Sequence, residues 1–275
     1  MRYDTLLLQK TSTSDVRGAL VGAQLLERPI RILRPNPDEL ASHGQALRSG
    51  TAVPVGSVEF VRAALCAAGV TEPPWNCYPP ELQRWLGRSV LRATAGVISG
   101  RWFVKPAAQI KLFDGFVLDT ERTSLLDAHG QAQLAALRQV SAATPVWLCE
   151  PVQWLSEMRF YVRERQVIGF ARYDPDGAED APLPDRKTVD QAAAALPFDH
   201  PCALDFGVLR SGETALVELN DAWGLGLYAG ALAPRTWIDF LAARWTSLVS
   251  SPSTPPTVAC HAPVPTTPLI SEPYA

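Results

Sequence analysis

Residues 202–228 have the sequence CALDFGVLRSGETALVELNDAWGLGLY, in which two apolar segments flank a Ser-Gly pair. This pattern predicts a β-hairpin whose turn is centred on that pair. With such a turn, Asp205 lies directly opposite Glu218. Asn220 shares the face of Glu218 because side chains alternate along a strand. The hairpin therefore brings three oxygen-bearing side chains to one patch.

Two carboxylates that face each other across a ladder repel and destabilise the hairpin. A cation bound between Asp205 and Glu218 would remove this repulsion. Two carboxylates and the amide of Asn220 suit Mg²⁺, which also keeps waters and phosphate oxygens as ligands. The pattern therefore predicts a magnesium site. The alternative is the outer face of an edge hairpin, where acidic side chains are simply solvated.

The composition is that of a soluble globular protein. The chain has 275 residues, of which 47% are hydrophobic and 19% charged, enough for one large core or two lobes that share a cleft. A net charge of −3 provides no basic surface for nucleic acid. No apolar run approaches a membrane span, and the first residues do not resemble a signal peptide, so we expect a cytoplasmic protein.

The chain divides into three predicted regions. Residues 1–90 alternate strand and helix patterns and predict a small α/β domain. Residues 91–248 contain closely spaced strands with helices between them, which predict an α+β domain. Residues 249–275 are rich in Pro, Ser and Thr and predict a tail without fixed structure.

Two lysines flank one predicted loop in the sequence FVKPAAQIKLF. Lys105 ends one strand and Lys111 begins the next, so both can extend into a cleft. Flexible ammonium groups suit phosphate oxygens. Most lysine pairs are surface residues, but only one other lysine follows position 10, namely Lys187. This scarcity favours a phosphate site at Lys105 and Lys111.

A second predicted hairpin carries arginines. The sequence EMRFYVRERQVIGFARY, with a turn between Glu164 and Arg165, places Arg172 opposite Glu157 and Arg159 on the same face. Two guanidinium groups beside one carboxylate leave a positive charge that can bind a phosphate or carboxylate. The alternative is a structural ion pair with Glu157.

Between the lysines and the arginines lies WLCEPV, residues 147–152. A strand that ends in proline cannot continue a ladder, because proline lacks the N–H donor. This segment is a candidate hinge, whose free backbone groups could bind a flat polar heterocycle such as adenine.

The order of these features resembles the ATP-grasp superfamily, in which two α+β subdomains clasp a nucleotide. More narrowly, the segments FVKPA, IKLFDGFV, CEPVQWLSEMRFYV, ARYD, ALDFGV and VELNDAWGLGLY are similar to its R2K clade. The resemblance covers about residues 91–245 and implies a small preceding α/β domain. One departure is that no glycine-rich phosphate loop lies between the lysines, where the sequence is PAAQI.

The resemblance implies a role for each candidate residue. Mg²⁺ would be held by Asp205, Glu218 and Asn220. The residues expected to contact ATP and the acyl group are Lys105 and Lys111 at the ATP phosphates, Glu150 and Val152 at adenine and ribose, and Arg159 and Arg172 at the γ-phosphate or an acceptor carboxylate.

The implied activity is ATP- and Mg²⁺-dependent ligation of a carboxylate to an amine through an acyl phosphate. Small molecules or peptides would be the substrates. Two alternatives stay open: a kinase of the same fold that stops at a phosphorylated product, and a nucleotide-binding module without turnover.

Overall fold

A computed structural model describes residues 3–34, 36–74, 76–107, 112–173 and 180–250. The predicted tail therefore lies outside the described residues, apart from positions 249 and 250, which belong to the last helix. No helix in these ranges combines the length and the apolar character needed to cross a membrane.

The N-terminal region forms a three-stranded parallel sheet with strand order β2-β1-β3. Its strands are β1 (Thr5–Gln9), β2 (Ile30–Leu33) and β3 (Ala52–Val55). Its helices are α1 (Ser14–Leu25), α2 (Pro37–Ala41), α3 (Gly44–Arg48) and α4 (Val58–Ala67). Parallel strands joined by helices agree with the predicted α/β character of this region.

Helix α4 shows how the local sequence sets these elements. The Ser57 side chain accepts a hydrogen bond from the Phe60 N–H and caps the first turn. Phe60, Val61, Ala64 and Leu65 are buried and form the apolar face of the helix. The helix is followed by Gly69, whose φ of +64° favours glycine.

A four-stranded antiparallel sheet follows, here called the lysine sheet, with strand order β4-β7-β5-β6. Its strands are β4 (Val90–Thr94), β5 (Arg101–Pro106), β6 (Phe116–Asp119) and β7 (Pro145–Cys149). One face packs against helix α5 (Ala128–Gln139) through Val104 and Leu148. Lys105 and Trp147 are paired across β5 and β7 and project from the opposite face.

The second antiparallel sheet, here called the hairpin sheet, has strand order β11-β10-β8-β9. Its strands are β8 (Trp154–Arg163), β9 (Gln166–Arg172), β10 (Cys202–Leu209) and β11 (Thr214–Asp221). One face packs on helix α6 (Arg186–Ala194) and the other on helix α7 (Pro234–Ser250). Phe160 belongs to the α6 face, and Tyr161 belongs to the α7 face.

The hairpin of residues 202–228 has the predicted pairing at its far end. Asp205 pairs with Glu218, and Ala203 pairs with Asn220. Near the turn the pairing differs by one residue, because Phe206 pairs with Leu216 and leaves Val217 as the extra residue of a β-bulge. The bulge keeps the two carboxylates on one face, as predicted.

The predicted pairing of Arg172 with Glu157 is wrong. The turn at Glu164 and Arg165 is where it was expected, with φ of +53° and +59°. After Tyr161, however, the pairing shifts by one residue, so that Arg172 lies opposite Met158. Alternation then places Arg172 on the opposite face of the sheet from Arg159.

Close packing at Gly169 accounts for this shift. Gly169 lies opposite Tyr161, and a Cβ atom there would lie 2.2 Å from the Ala231 carbonyl oxygen. Only glycine allows this approach, so the strand bulges to present Gly169 to the 231–232 segment.

Candidate functional site

A cation from the lysine sheet meets an anion from the hairpin sheet. The Lys105 Nζ of β5 forms an ion pair with the Glu218 Oε2 of β11. Burial lowers the pKa of Lys105, but the Glu218 carboxylate, together with Cys77 and Tyr78, outweighs burial and holds this pKa well above its usual value. The pair also lowers the pKa of Glu218 against the effect of burial. Both groups are therefore charged, and they link the two sheets.

Lys111, the second predicted lysine, lies outside the described residues. Its role at the ATP phosphates stays a prediction.

Arg159 and Asp205 form a buried ion pair beside the first. The Arg159 Nε lies 2.8 Å from Asp205 Oδ1, and its Nη2 lies 2.7 Å from Asp205 Oδ2. The Asp205 side chain has 0% exposure and that of Arg159 has 8%. Burial raises the pKa of Asp205, and the Arg159 guanidinium opposes this rise. Such a bidentate pair fixes both side chains.

Asn220 joins the two ion pairs. Its Nδ2 donates to Asp205 Oδ2 at 2.8 Å and to Glu218 Oε1 at 3.0 Å. Carboxylate and amide oxygens suit Mg²⁺, which takes one or two protein carboxylates and completes its shell with water and phosphate. Here the two carboxylates meet the Asn220 Nδ2, so the amide would have to turn its Oδ1 towards a bound ion. Within the described ranges, no three His, Cys, Asp or Glu side chains cluster as metal ligands. The metal role of Asp205, Glu218 and Asn220 stays a prediction.

Two tyrosines flank Arg159, and sequence analysis did not identify them. The Arg159 Cζ lies 5.4 Å from the ring centroid of Tyr173 and 5.0 Å from that of Tyr228. The Tyr161 hydroxyl accepts from the Tyr228 N–H at 3.0 Å and donates to the Gly226 carbonyl at 2.9 Å. Tyr173 takes the position beside Arg159 that the predicted register assigned to Arg172. Tyr228 ends the segment VELNDAWGLGLY, but strand alternation gives it no position, because it reaches the site from a loop beyond β11.

Glu157 is a further acidic residue on the site face. It pairs with Gly207 across β8 and β10, two positions before Arg159 on the same strand. Burial and then the Asp205 and Glu218 carboxylates raise the pKa of Glu157 to about 7. Glu157 therefore exchanges a proton near neutral pH, in a site that already holds two carboxylates.

This raised pKa predicts a pH-dependent stability. The folded state binds the Glu157 proton more tightly than the unfolded state, so the stabilising effect is present at low pH and is lost as pH rises through about 7. The quantity compared is the free energy of unfolding of Glu157→Gln minus that of wild type. We expect this difference to increase by about 2 kcal/mol, in favour of the variant, between pH 5 and pH 8. Urea unfolding of the metal- and nucleotide-free protein measures this difference. An equal difference at both pH values would contradict the prediction.

The predicted hinge lies where the two sheets are joined. Residues 150–153 link β7 to β8. The Glu150 N–H donates to the Ser89 carbonyl at 2.8 Å, and the Ser89 N–H donates to Glu150 Oε2 at 3.1 Å. Glu150 is exposed and Val152 is half-buried. Their contact with adenine and ribose stays a prediction, as does the role of Arg172, although the cross-strand argument for Arg172 no longer holds.

Two antiparallel sheets, joined by a short connector and carrying cations and carboxylates where they meet, define a fold of the ATP-grasp type. Residues 85–235 match the family described as ATP-grasp domain, R2K clade family 2, and the chain belongs to this family. The resemblance stated from the sequence is thereby confirmed. No curated protein matches the chain.

Solved structures similar to the chain include the ATP-grasp ligase PsnB complexed with a minimal precursor, with 14% identity over 88% of this chain and 99% of that chain, and a TM-score of 0.49. D-cycloserine synthetase DcsG has 12% identity over 88% and 99%, with a TM-score of 0.47. A RimK domain protein ATP-grasp from Sphaerobacter thermophilus DSM 20745 has 12% identity over 91% and 100%, with a TM-score of 0.48.

Proposed function

We propose that the protein is an ATP- and Mg²⁺-dependent carboxylate-amine ligase that forms an amide or peptide bond through an acyl phosphate. The observation that carries this proposal is the Lys105–Glu218 ion pair between the two sheets, beside the buried Arg159–Asp205 pair. Family membership supports the ATP-dependent part. Solved ATP-grasp ligases such as PsnB and D-cycloserine synthetase motivate the ligase part.

The cations are assigned to the triphosphate. Lys105 and the predicted Lys111 would bind phosphate oxygens, and Arg159 would approach the transferred phosphoryl group. In the structure, the carboxylates of Glu218 and Asp205 already neutralise Lys105 and Arg159. Phosphate oxygens would therefore replace carboxylate oxygens around these cations, with little change in local charge.

The carboxylates released in this way are assigned to the metal. Asp205, Glu218 and Asn220 would hold Mg²⁺. When bound, this ion would neutralise charge on the phosphate oxygens. The connector residues Glu150 and Val152 would lie at the adenine and ribose.

The chemistry then has two steps. A substrate carboxylate oxygen attacks the γ-phosphorus of ATP, and the bond between this phosphorus and the β-phosphate oxygen breaks. ADP departs, and the product of this step is an acyl phosphate. An amine attacks the acyl carbon, phosphate departs, and the amine proton is lost. Lys105 and Arg159 stabilise the charge that spreads over the phosphoryl oxygens. Arg172 stays a candidate for the acceptor carboxylate.

We propose a division into a small α/β domain at residues 1–90, an ATP-grasp domain at 91–248 and a tail at 249–275. We also propose small-molecule or peptide substrates in the cytoplasm and no nucleic-acid partner, because the net charge of −3 gives no attraction for phosphate backbones.

Product analysis tests the proposed function. The protein is incubated with ATP, Mg²⁺ and a cell extract, and mass spectrometry identifies species that form with wild type but not with Glu218→Ala. We expect ADP and a condensed product whose mass equals the two substrates minus water. Glu213→Ala is the matched control, because this exposed glutamate lies in the turn of the same hairpin.

Two other outcomes would refute the ligase. A phosphorylated product with no requirement for an amine would indicate a kinase. ATP binding by calorimetry with no ADP release from carboxylate and amine panels would indicate a binding module.

A further inference from the structure

We propose that Arg88 is a positioning residue for Glu218. Its guanidinium binds the β-bulge that turns the Glu218 carboxylate towards Asp205 and Lys105. The importance of this positioning for Mg·ATP rests on the proposed function, whereas the positioning itself does not.

The bulge is required by the side chains of β11. Leu216 and Leu219 are both buried in the core that packs on α6. In a regular strand, residues three positions apart point to opposite faces. One extra residue, Val217, lets both leucines point to the same face, and Glu218 then pairs with Asp205. Without the extra residue in the bulge, Val217 would lie opposite Asp205 and Glu218 would turn to the other face.

β11 is an edge strand of the hairpin sheet, and Arg88 binds two backbone carbonyls at its bulge. The Arg88 Nη1 donates to the Leu216 carbonyl at 2.7 Å, and the Nη2 donates to the Val217 carbonyl at 2.9 Å. The Nη1 also donates to the Leu86 carbonyl at 3.0 Å. One planar guanidinium therefore holds both peptide groups that precede Glu218.

The surroundings of Arg88 restrict its movement. The Arg88 Cζ lies 5.1 Å from the Trp154 ring and 6.0 Å from the Tyr78 ring. Its neighbour Gly87 has a φ of +59°, and a Cβ there would lie 2.9 Å from the Ala215 Cβ. Its other neighbour, Ser89, is bonded to Glu150 of the connector. Arg88 thus links the junction between the sheets to the strand that carries Glu218.

Exchange of the Leu219 amide hydrogen, on β11 beyond the bulge, can be used to measure this positioning. The Leu219 N–H donates to the Cys77 carbonyl at 2.9 Å. Loss of the Arg88 contacts removes hydrogen bonds from a charged donor, which are stronger than those between neutral groups. The bulge should then open more often, and exchange of the Leu219 amide hydrogen should become faster.

The first experiment measures amide hydrogen exchange by NMR without ATP or metal. In Arg88→Ala we expect exchange at Leu219 to be about tenfold faster than in wild type, with Ala215 on the turn side of the bulge unchanged. Arg84→Ala, in which an exposed arginine over the Trp85 ring is removed, should behave as wild type. Unchanged exchange at Leu219, or equally faster exchange at both amides, would overturn the proposal.

The second experiment removes the need for the bulge. Deleting Val217 makes Glu218 follow Leu216 directly, so that a regular strand presents Glu218 to Asp205. We expect Arg88→Ala to bind Mg·ATP about tenfold more weakly in calorimetry, and Arg88→Ala combined with the Val217 deletion to recover wild-type affinity. Loss of affinity without recovery would overturn the proposal, because the defect would not arise from the bulge.

The two experiments separate the two proposals. If wild type itself fails to bind Mg·ATP, the proposed function fails, and hydrogen exchange alone decides the role of Arg88. If Arg88→Ala does not fold, Arg88→Lys is compared in the same way. Lysine keeps the charge but not the planar pair of donors, so exchange at Leu219 should be intermediate.

Discussion

Replacing Asp205 with alanine is expected to destabilise the protein by about 3–5 kcal/mol and to abolish ATP turnover. Asp205 has 0% exposure and accepts two hydrogen bonds from Arg159 and one from Asn220. Without this carboxylate, the Arg159 guanidinium stays buried and loses its counterion, which is costly in a region of low dielectric. Urea unfolding measures the stability, and ADP release measures the turnover.

A double variant separates stability from chemistry. Arg159→Met with Asp205→Leu replaces the buried pair with apolar side chains of similar length, which typically restores most of the stability. We expect this double variant to unfold near wild type and still to release no ADP. If it turned over ATP, neither Asp205 nor Arg159 would have the role proposed for it.

Replacing Lys105 with methionine is expected to weaken ATP binding by about 10- to 100-fold, because a charge-assisted contact to phosphate contributes ~1.5–3 kcal/mol. Turnover should fall further, by about 10²- to 10³-fold, because the ammonium group would also stabilise charge that develops on the phosphoryl oxygens. Methionine retains the length and packing of the lysine stem. Calorimetry with ATP measures the first effect, and ADP release measures the second.

Lys187→Met is the matched control, because Lys187 is exposed on α6 and lies on a different element from the site. It should change neither quantity. Equal ATP affinity in Lys105→Met and Lys187→Met would contradict the proposal that Lys105 binds the ATP phosphates.

Much of the local structure follows from short-range patterns. The Asp205–Glu218 pair was predicted because alternation and one turn relate residues that are close in the sequence. The turn at Glu164 and Arg165 was predicted in the same way. Each prediction concerns a single hairpin, in which few registers are possible.

The errors came from β-bulges. The bulge at Val217 could have been inferred from the spacing of Leu216 and Leu219, because two buried leucines three positions apart do not fit a regular strand. Gly169 inside β9 is a signal for a bulge, but it does not indicate which residue is the extra one. The shift that moves Arg172 to the opposite face depends on Gly169 lying against Ala231, which is 62 positions further along the chain.

The sequence alone determined the two hairpins, the presence of acidic and basic residues at their ends, and the family to which the chain belongs. Only the tertiary structure decided which charges meet. Lys105 and Glu218 are separated by 113 positions, and they form an ion pair because the lysine sheet and the hairpin sheet approach each other at β5 and β11. Strand alternation fixes the face on which a side chain lies, but the packing of two sheets fixes what that face contacts.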